Sequence, residues 1–135
     1  MAMRNCCSVL CIGDDPVNLN LRCALLKKNG WQVQSSGNGH DGVLRFQREP
    51  VDLVVVDLDR DGSEAALIIS ELKRLHPSVQ VVMLVTDHRT LAADATRQAD
   101  AVVTKAEEDE LLVNALKTLE RKTDRPSQPG QSRVC

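Results

Sequence analysis

Pro50-Val51-Asp52-Leu53-Val54-Val55-Val56-Asp57 is the stretch that decides the fold. Its centre is β-branched with almost no alternation of apolar and polar residues, which is how a strand covered on both faces of a parallel sheet reads. It breaks off on a carboxylate. Three further runs have the same form: Val9-Leu10-Cys11-Ile12-Gly13 ends on Asp14 and Asp15, Val79-Gln80-Val81-Val82-Met83-Leu84-Val85 ends on Thr86, and Ala101-Val102-Val103-Thr104 ends on Lys105. Ligands of open α/β sheets bind beyond the carboxyl ends of the strands. One edge therefore gathers a carboxylate pair, a lone carboxylate, a hydroxyl and an ammonium, a donor set suited to a divalent cation and a phosphoryl group.

Helix patterns separate the runs. Pro16 fits a first helical position with Asp15 as its cap, and Val17, Leu21 and Leu25 repeat every four residues, joined by Leu26 and stopped by Gly30. Trp31-Gln32-Val33-Gln34-Ser35 alternates as a half-exposed strand does. A turn spaced by Gly37 and Gly39 leads into a helix with Val43, Leu44 and Phe46, closed by Pro50. Ala65 to Leu75 reads as a helix with Ile68, Ile69, Leu72 and Leu75 on its apolar side, Leu91 to Gln98 as a short, weakly apolar helix, and Leu111, Leu112, Ala115, Leu116 and Leu119 as the stripe of a last one. Five alternations of strand and helix predict an α/β fold, a doubly wound five-stranded parallel sheet with five helices on its two faces. The expected organisation is an N-terminal extension over 1–7, one domain over 8–121 and a disordered tail over 122–135, where Pro, Ser, Gln and Gly dominate.

Composition narrows the function. At 135 residues there is length for one self-supporting core. With 17 Lys and Arg against 19 Asp and Glu and no dense basic block, nucleic acid is not an expected partner. No apolar stretch approaches the roughly 20 residues of a membrane span, so the expectation is a soluble, cytoplasmic protein. The five cysteines, Cys6, Cys7, Cys11, Cys23 and Cys135, form no C-x-x-C pair and read as reduced core or tail thiols. Glu107-Glu108-Asp109-Glu110 reads as a solvated helix start.

With those motifs in order, the chain resembles the receiver domain of two-component response regulators over roughly residues 8 to 121. Leu10 to Leu19 resembles the family's opening acidic motif, Gly30-Trp31-Gln32-Val33 its glycine-aromatic-x-valine, Pro50 to Asp57 the segment carrying the phosphorylated aspartate, and Val103-Thr104-Lys105 its final lysine motif. The resemblance implies a flavodoxin-like strand order, 2-1-3-4-5, and a phosphorylation switch. Asp57 would attack the phosphohistidine of a sensor histidine kinase or phosphotransfer protein. Mg²⁺ would sit on Asp14, Asp57 and the backbone carbonyl of Asp59, since a carboxylate attacks an anionic phosphoryl group poorly unless cations neutralise the charge. Lys105 would pair with a phosphoryl oxygen and Thr86 would donate a hydrogen bond to another, a contact available only after phosphorylation. The implied protein is a stand-alone receiver that signals by protein–protein contact. It would not be an enzyme, beyond catalysing its own phosphorylation and slow dephosphorylation.

Several positions depart from that pattern. Gly13 stands where the family's first acidic residue falls, which removes a carboxylate; a turn needing positive φ is the other reading of that glycine. Asp61 replaces a usual proline, Ala65 a glycine, Ala106 the proline after the lysine, and Val102 a common Tyr or Phe. These favour a rival reading, a phosphorylation-independent interaction module whose surface matters more than its pocket. A flavin-binding flavodoxin is disfavoured, because Asp14 and Asp15 would repel a phosphate after the first strand. Read one by one, Asp57 could be only a helix cap and Lys105 a solvated strand end; their placement at neighbouring strand ends favours the chemical reading.

Overall fold

The computed structural model describes residues 8–58, 63–85 and 97–104. In chain order these form β1 (Ser8–Gly13), α1 (Pro16–Lys28), β2 (Gln32–Ser36), α2 (Gly39–Arg48), β3 (Leu53–Asp57), α3 (Ser63–Leu75), β4 (Gln80–Val85) and β5 (Ala101–Thr104). The five strands make one parallel sheet in the order β2-β1-β3-β4-β5, as expected. Of the two later helices expected from the sequence, only Arg97 and Gln98 fall among the described residues, and both are helical. The stripe from Leu111 to Leu119 lies outside them.

The unbroken apolar runs are explained by two cores, one on each face of the sheet. Successive strand residues point to opposite faces. Leu10, Ile12, Val54, Val56, Val81 and Met83 therefore pack with Phe46 of α2 and Ala65, Ile69 and Leu72 of α3. Val9, Cys11, Leu53, Val55, Val82 and Leu84 pack with Leu19 and Leu26 of α1 and with Trp31.

Local signals hold the helix ends. The Asp15 carboxylate accepts from the backbone N–H groups of Val17 and Asn18 at 3.1 and 3.4 Å, with Pro16 at the first helical position. α1 ends at Lys28 with Asn29 as its cap, and Gly30 after it, with a φ of 93°, lets Gly30 N–H reach Lys27 O and Trp31 N–H reach Leu26 O. Gly39, read from the sequence as part of a turn, is instead the first residue of α2, capped by Asn38.

The expected apolar stripe of α1 is corrected. Val17 and Leu21 are 67% and 64% exposed. The buried face carries Leu19, Arg22 and Leu26, a set at the same helical spacing with a cation at its centre. The four-residue repeat of Val17, Leu21 and Leu25 imitated a core stripe, whereas burial followed the face turned towards Val9, Cys11 and Val55.

Candidate functional site

Asp57 is the last residue of β3 and pairs in register with Gly13, the last residue of β1. It continues the row of Leu53 and Val55, so the period of two turns it towards α1. There the guanidinium of Arg22 donates through Nη2 to Asp57 Oδ2 at 3.1 Å. Both side chains are almost fully enclosed, 1% and 2% exposed. Taking two charges out of water is costly unless they are paired and hydrogen-bonded. Each supplies the other's countercharge.

Gly13 lies beside this pair. A β-carbon built on it would stand 3.6 Å from Arg22 Nη1, 3.6 Å from Leu19 Cδ1 and 3.7 Å from the Asp57 β-carbon, ordinary contact distances. Among the described residues Gly30 is the glycine with positive φ. Gly13 is therefore required neither by backbone conformation nor by the room for a β-carbon, and the positive-φ reading of that residue is set aside.

Of the expected site residues, the structure describes Asp14 and Asp57. Asp14 is exposed, between the end of β1 and the cap of α1. Asp59, Thr86 and Lys105 lie outside the described residues. Arg22 was missed by sequence reasoning. Its signal was present, a cation three residues after Leu19 and four before Leu26, next to a strand that ends on Gly13 where an acid was expected.

The described residues do not fit the expected Mg²⁺ site. Asp57 is bonded to a guanidinium, Gly13 in register with it carries no carboxylate, Asp14 beside it is exposed, and no group of three His, Cys, Asp or Glu among the described residues could hold a metal. Mg²⁺ takes hard oxygen ligands in a near-octahedral shell, and a buried cation on one of those oxygens opposes it.

A second polar cluster borders the same face of the sheet. Cys23 of α1 neighbours Cys11 of β1, and its thiol is lowered to about 7, first by a hydrogen bond with Cys11 and further by Lys27, Arg22 and Ser35 against the opposing effect of burial. Neither of these two cysteines is in a disulfide. No helix among the described residues is long and apolar enough to cross a membrane.

Comparison with known proteins agrees with this architecture. The profile of the response regulator receiver domain matches residues 9–117. The chain is 31% identical over 111 residues to the transcriptional regulatory protein GlrR of Escherichia coli (strain K12), an alignment covering 80% of this chain and 25% of that protein. It thus spans about a quarter of the length of that relative. Among solved structures, the response regulator TrrA of Thermotoga maritima in complex with Mg²⁺-BeF superposes with a TM-score of 0.77 at 20% identity, covering 84% of this chain and 99% of that one. The complex of histidine kinase ThkA with TrrA contains a similar chain, with a TM-score of 0.75 at 21% identity, covering 84% and 98%. With the receiver profile covering most of its length and β3 ending on Asp57 in the predicted place, this chain belongs to the response regulator receiver domain family.

Proposed function

We propose that this chain is a phospho-accepting receiver, taking a phosphoryl group onto Asp57 from the phosphohistidine of a sensor kinase or phosphotransfer protein and reporting it by protein–protein contact. The observation that carries the reading is the Asp57 carboxylate closing β3 at the carboxyl edge of the sheet, in register with the end of β1. An Asp57 oxygen attacks phosphorus as the phosphorus–nitrogen bond of the phosphohistidine breaks. The electron pair leaves on the imidazole nitrogen, which takes up a proton, and an acyl phosphate forms. Lys105 pairs with a phosphoryl oxygen and Thr86 donates to another, so Thr86 acts in the readout and Lys105 in the transfer. The TrrA structure with Mg²⁺-BeF and the ThkA–TrrA complex support phosphoryl chemistry and a kinase partner by likeness of fold. Mg²⁺ dependence is not carried over, because the described residues do not fit the ion.

Incubation with acetyl phosphate, in Mg²⁺ and in EDTA, followed by intact mass measurement tests the reading. One base-labile phosphoryl group is expected, absent in Asp57→Ala and reduced in Lys105→Ala, while Thr86→Ala still labels. Equal labelling of Asp57→Ala would remove the assignment. A second reading, an interaction module that works without phosphorylation, is favoured by the Arg22–Asp57 pair, which neutralises the acceptor at rest. Absence of labelling from acetyl phosphate and from a phosphorylated kinase alike would select it.

A further inference from the structure

We propose that Arg22 is a built-in monovalent cation at Asp57 that takes the place of a divalent metal, so that the acidic pocket of this chain does not take up Mg²⁺ at millimolar concentration. The inference goes beyond phosphoryl acceptance and holds whether or not Asp57 is ever phosphorylated.

Three observations meet here. Arg22 donates to Asp57 Oδ2 at 3.1 Å with its side chain 1% exposed, so the guanidinium lies within the pocket. A dication binding this carboxylate would face a like charge in a region from which water is excluded, where Coulomb terms are least screened. It would also have to displace a buried arginine, stranding that charge away from its partner.

The second observation is the local charge. Gly13 pairs with Asp57 across β1 and β3 and contributes no carboxylate, although a β-carbon there would meet Arg22 Nη1, Leu19 Cδ1 and the Asp57 β-carbon at ordinary distances. A pocket with several convergent carboxylates needs a dication to hold them together. With a glycine at 13 and a guanidinium at 22, the enclosed pair holds one carboxylate and one cation, with no further carboxylate contributed from the paired position on β1.

The third is the origin of Arg22. It stands on the inner face of α1 between Leu19 and Leu26, a row that otherwise packs into the apolar core beneath the sheet. A cation on such a row is expensive unless it has a fixed task. The described task is to bond Asp57. A planar guanidinium also matches phosphoryl oxygens well, so the same group is suited to an anion delivered to Asp57.

The experiment uses Mg²⁺ alone as the probe, with Na⁺ at matched ionic strength as control. In the wild-type chain the Arg22 guanidinium signals in a ¹H–¹⁵N spectrum should not move through millimolar Mg²⁺, and the melting temperature should match the Na⁺ control. Arg22→Met should bind Mg²⁺ at least tenfold more tightly than wild type, read as a Mg²⁺-dependent rise in melting temperature. Gly13→Asp/Arg22→Met should bind more tightly still. Saturable shifts of the Arg22 signals in wild type, or wild-type binding as tight as that of either variant, would overturn the proposal. Because the spectrum is recorded on the wild-type chain, it decides the question even if Arg22→Met fails to fold.

Discussion

Arg22 and Asp57 are 35 positions apart and enclosed together, so the energetics of each depends on the other. Breaking a buried pair by deleting one partner costs about 3–5 kcal/mol, whereas replacing both can be near neutral. Arg22→Met and Asp57→Ala should each lower the unfolding free energy obtained from urea titration by an amount in that range. The double variant should recover at least ~1 kcal/mol relative to their sum. Strict additivity in that cycle would show that the pair contributes no coupling. Cys23 gives a second test on the same helix. Its thiol is lowered to about 7, first by the hydrogen bond with Cys11, against an ordinary value of about 8.5. Iodoacetamide should therefore alkylate Cys23 with a midpoint near pH 7, moved upward in Cys11→Ala. The folded thiol ionises below the unfolded one, so its contribution to stability is complete above the ordinary thiol range and is lost as pH falls through about 7.

At the scale of elements, Gly42 lets α2 lie close against β1. A β-carbon on Gly42 would stand 2.5 and 2.8 Å from Ile12 Cδ1 and Cγ1, and Ile12 is fully buried. Exchanging a helical glycine for alanine usually gains about 1 kcal/mol, yet overpacking a closed core costs about 1–3 kcal/mol. Gly42→Ala should therefore destabilise, and Ile12→Val, which removes Cδ1, should relieve part of that loss in the double variant; thermal melts of the three proteins check this. The same scale shows what the sequence could reveal. The strands were legible because both-face burial leaves β-branched runs, and the ends of α1 because Asp15, Pro16 and Gly30 act locally. The buried face of α1 was not legible. Val17, Leu21 and Leu25 offered a more apolar row than the true one, and the burial of Arg22 depends on a carboxylate two strands further along the chain. Spacing within a helix holds no record of such a partner. Asp57 could be placed because strand ends converge; its resting countercharge could not, because the resemblance pointed to a metal.

For the whole molecule, the sheet couples two cores that share no side chain. Trp31, the single tryptophan, lies in the core beneath α1, and Phe46, the single phenylalanine, lies in the core beneath α2 and α3. Adjacent residues of β3 feed opposite cores: Val54 joins Phe46 and Val55 joins the core of Trp31, each fully buried. If β1, β3 and β4 transmit loss of packing from one face to the other, the domain unfolds as one cooperative unit. Trp31 fluorescence and far-ultraviolet circular dichroism should then give one urea midpoint. Val54→Ala, on the face away from Trp31, should lower that midpoint equally in both signals, corresponding to a loss of about 1–3 kcal/mol in unfolding free energy, the transfer and cavity cost of two buried methyl groups. Val55→Ala should act with similar size through the nearer core. A backbone signal that shifts in Val54→Ala while the Trp31 transition stays in place would mean that the two faces melt separately. In that event the Asp57 pocket, set on the α1 face, would depend on only half of the molecule for its stability.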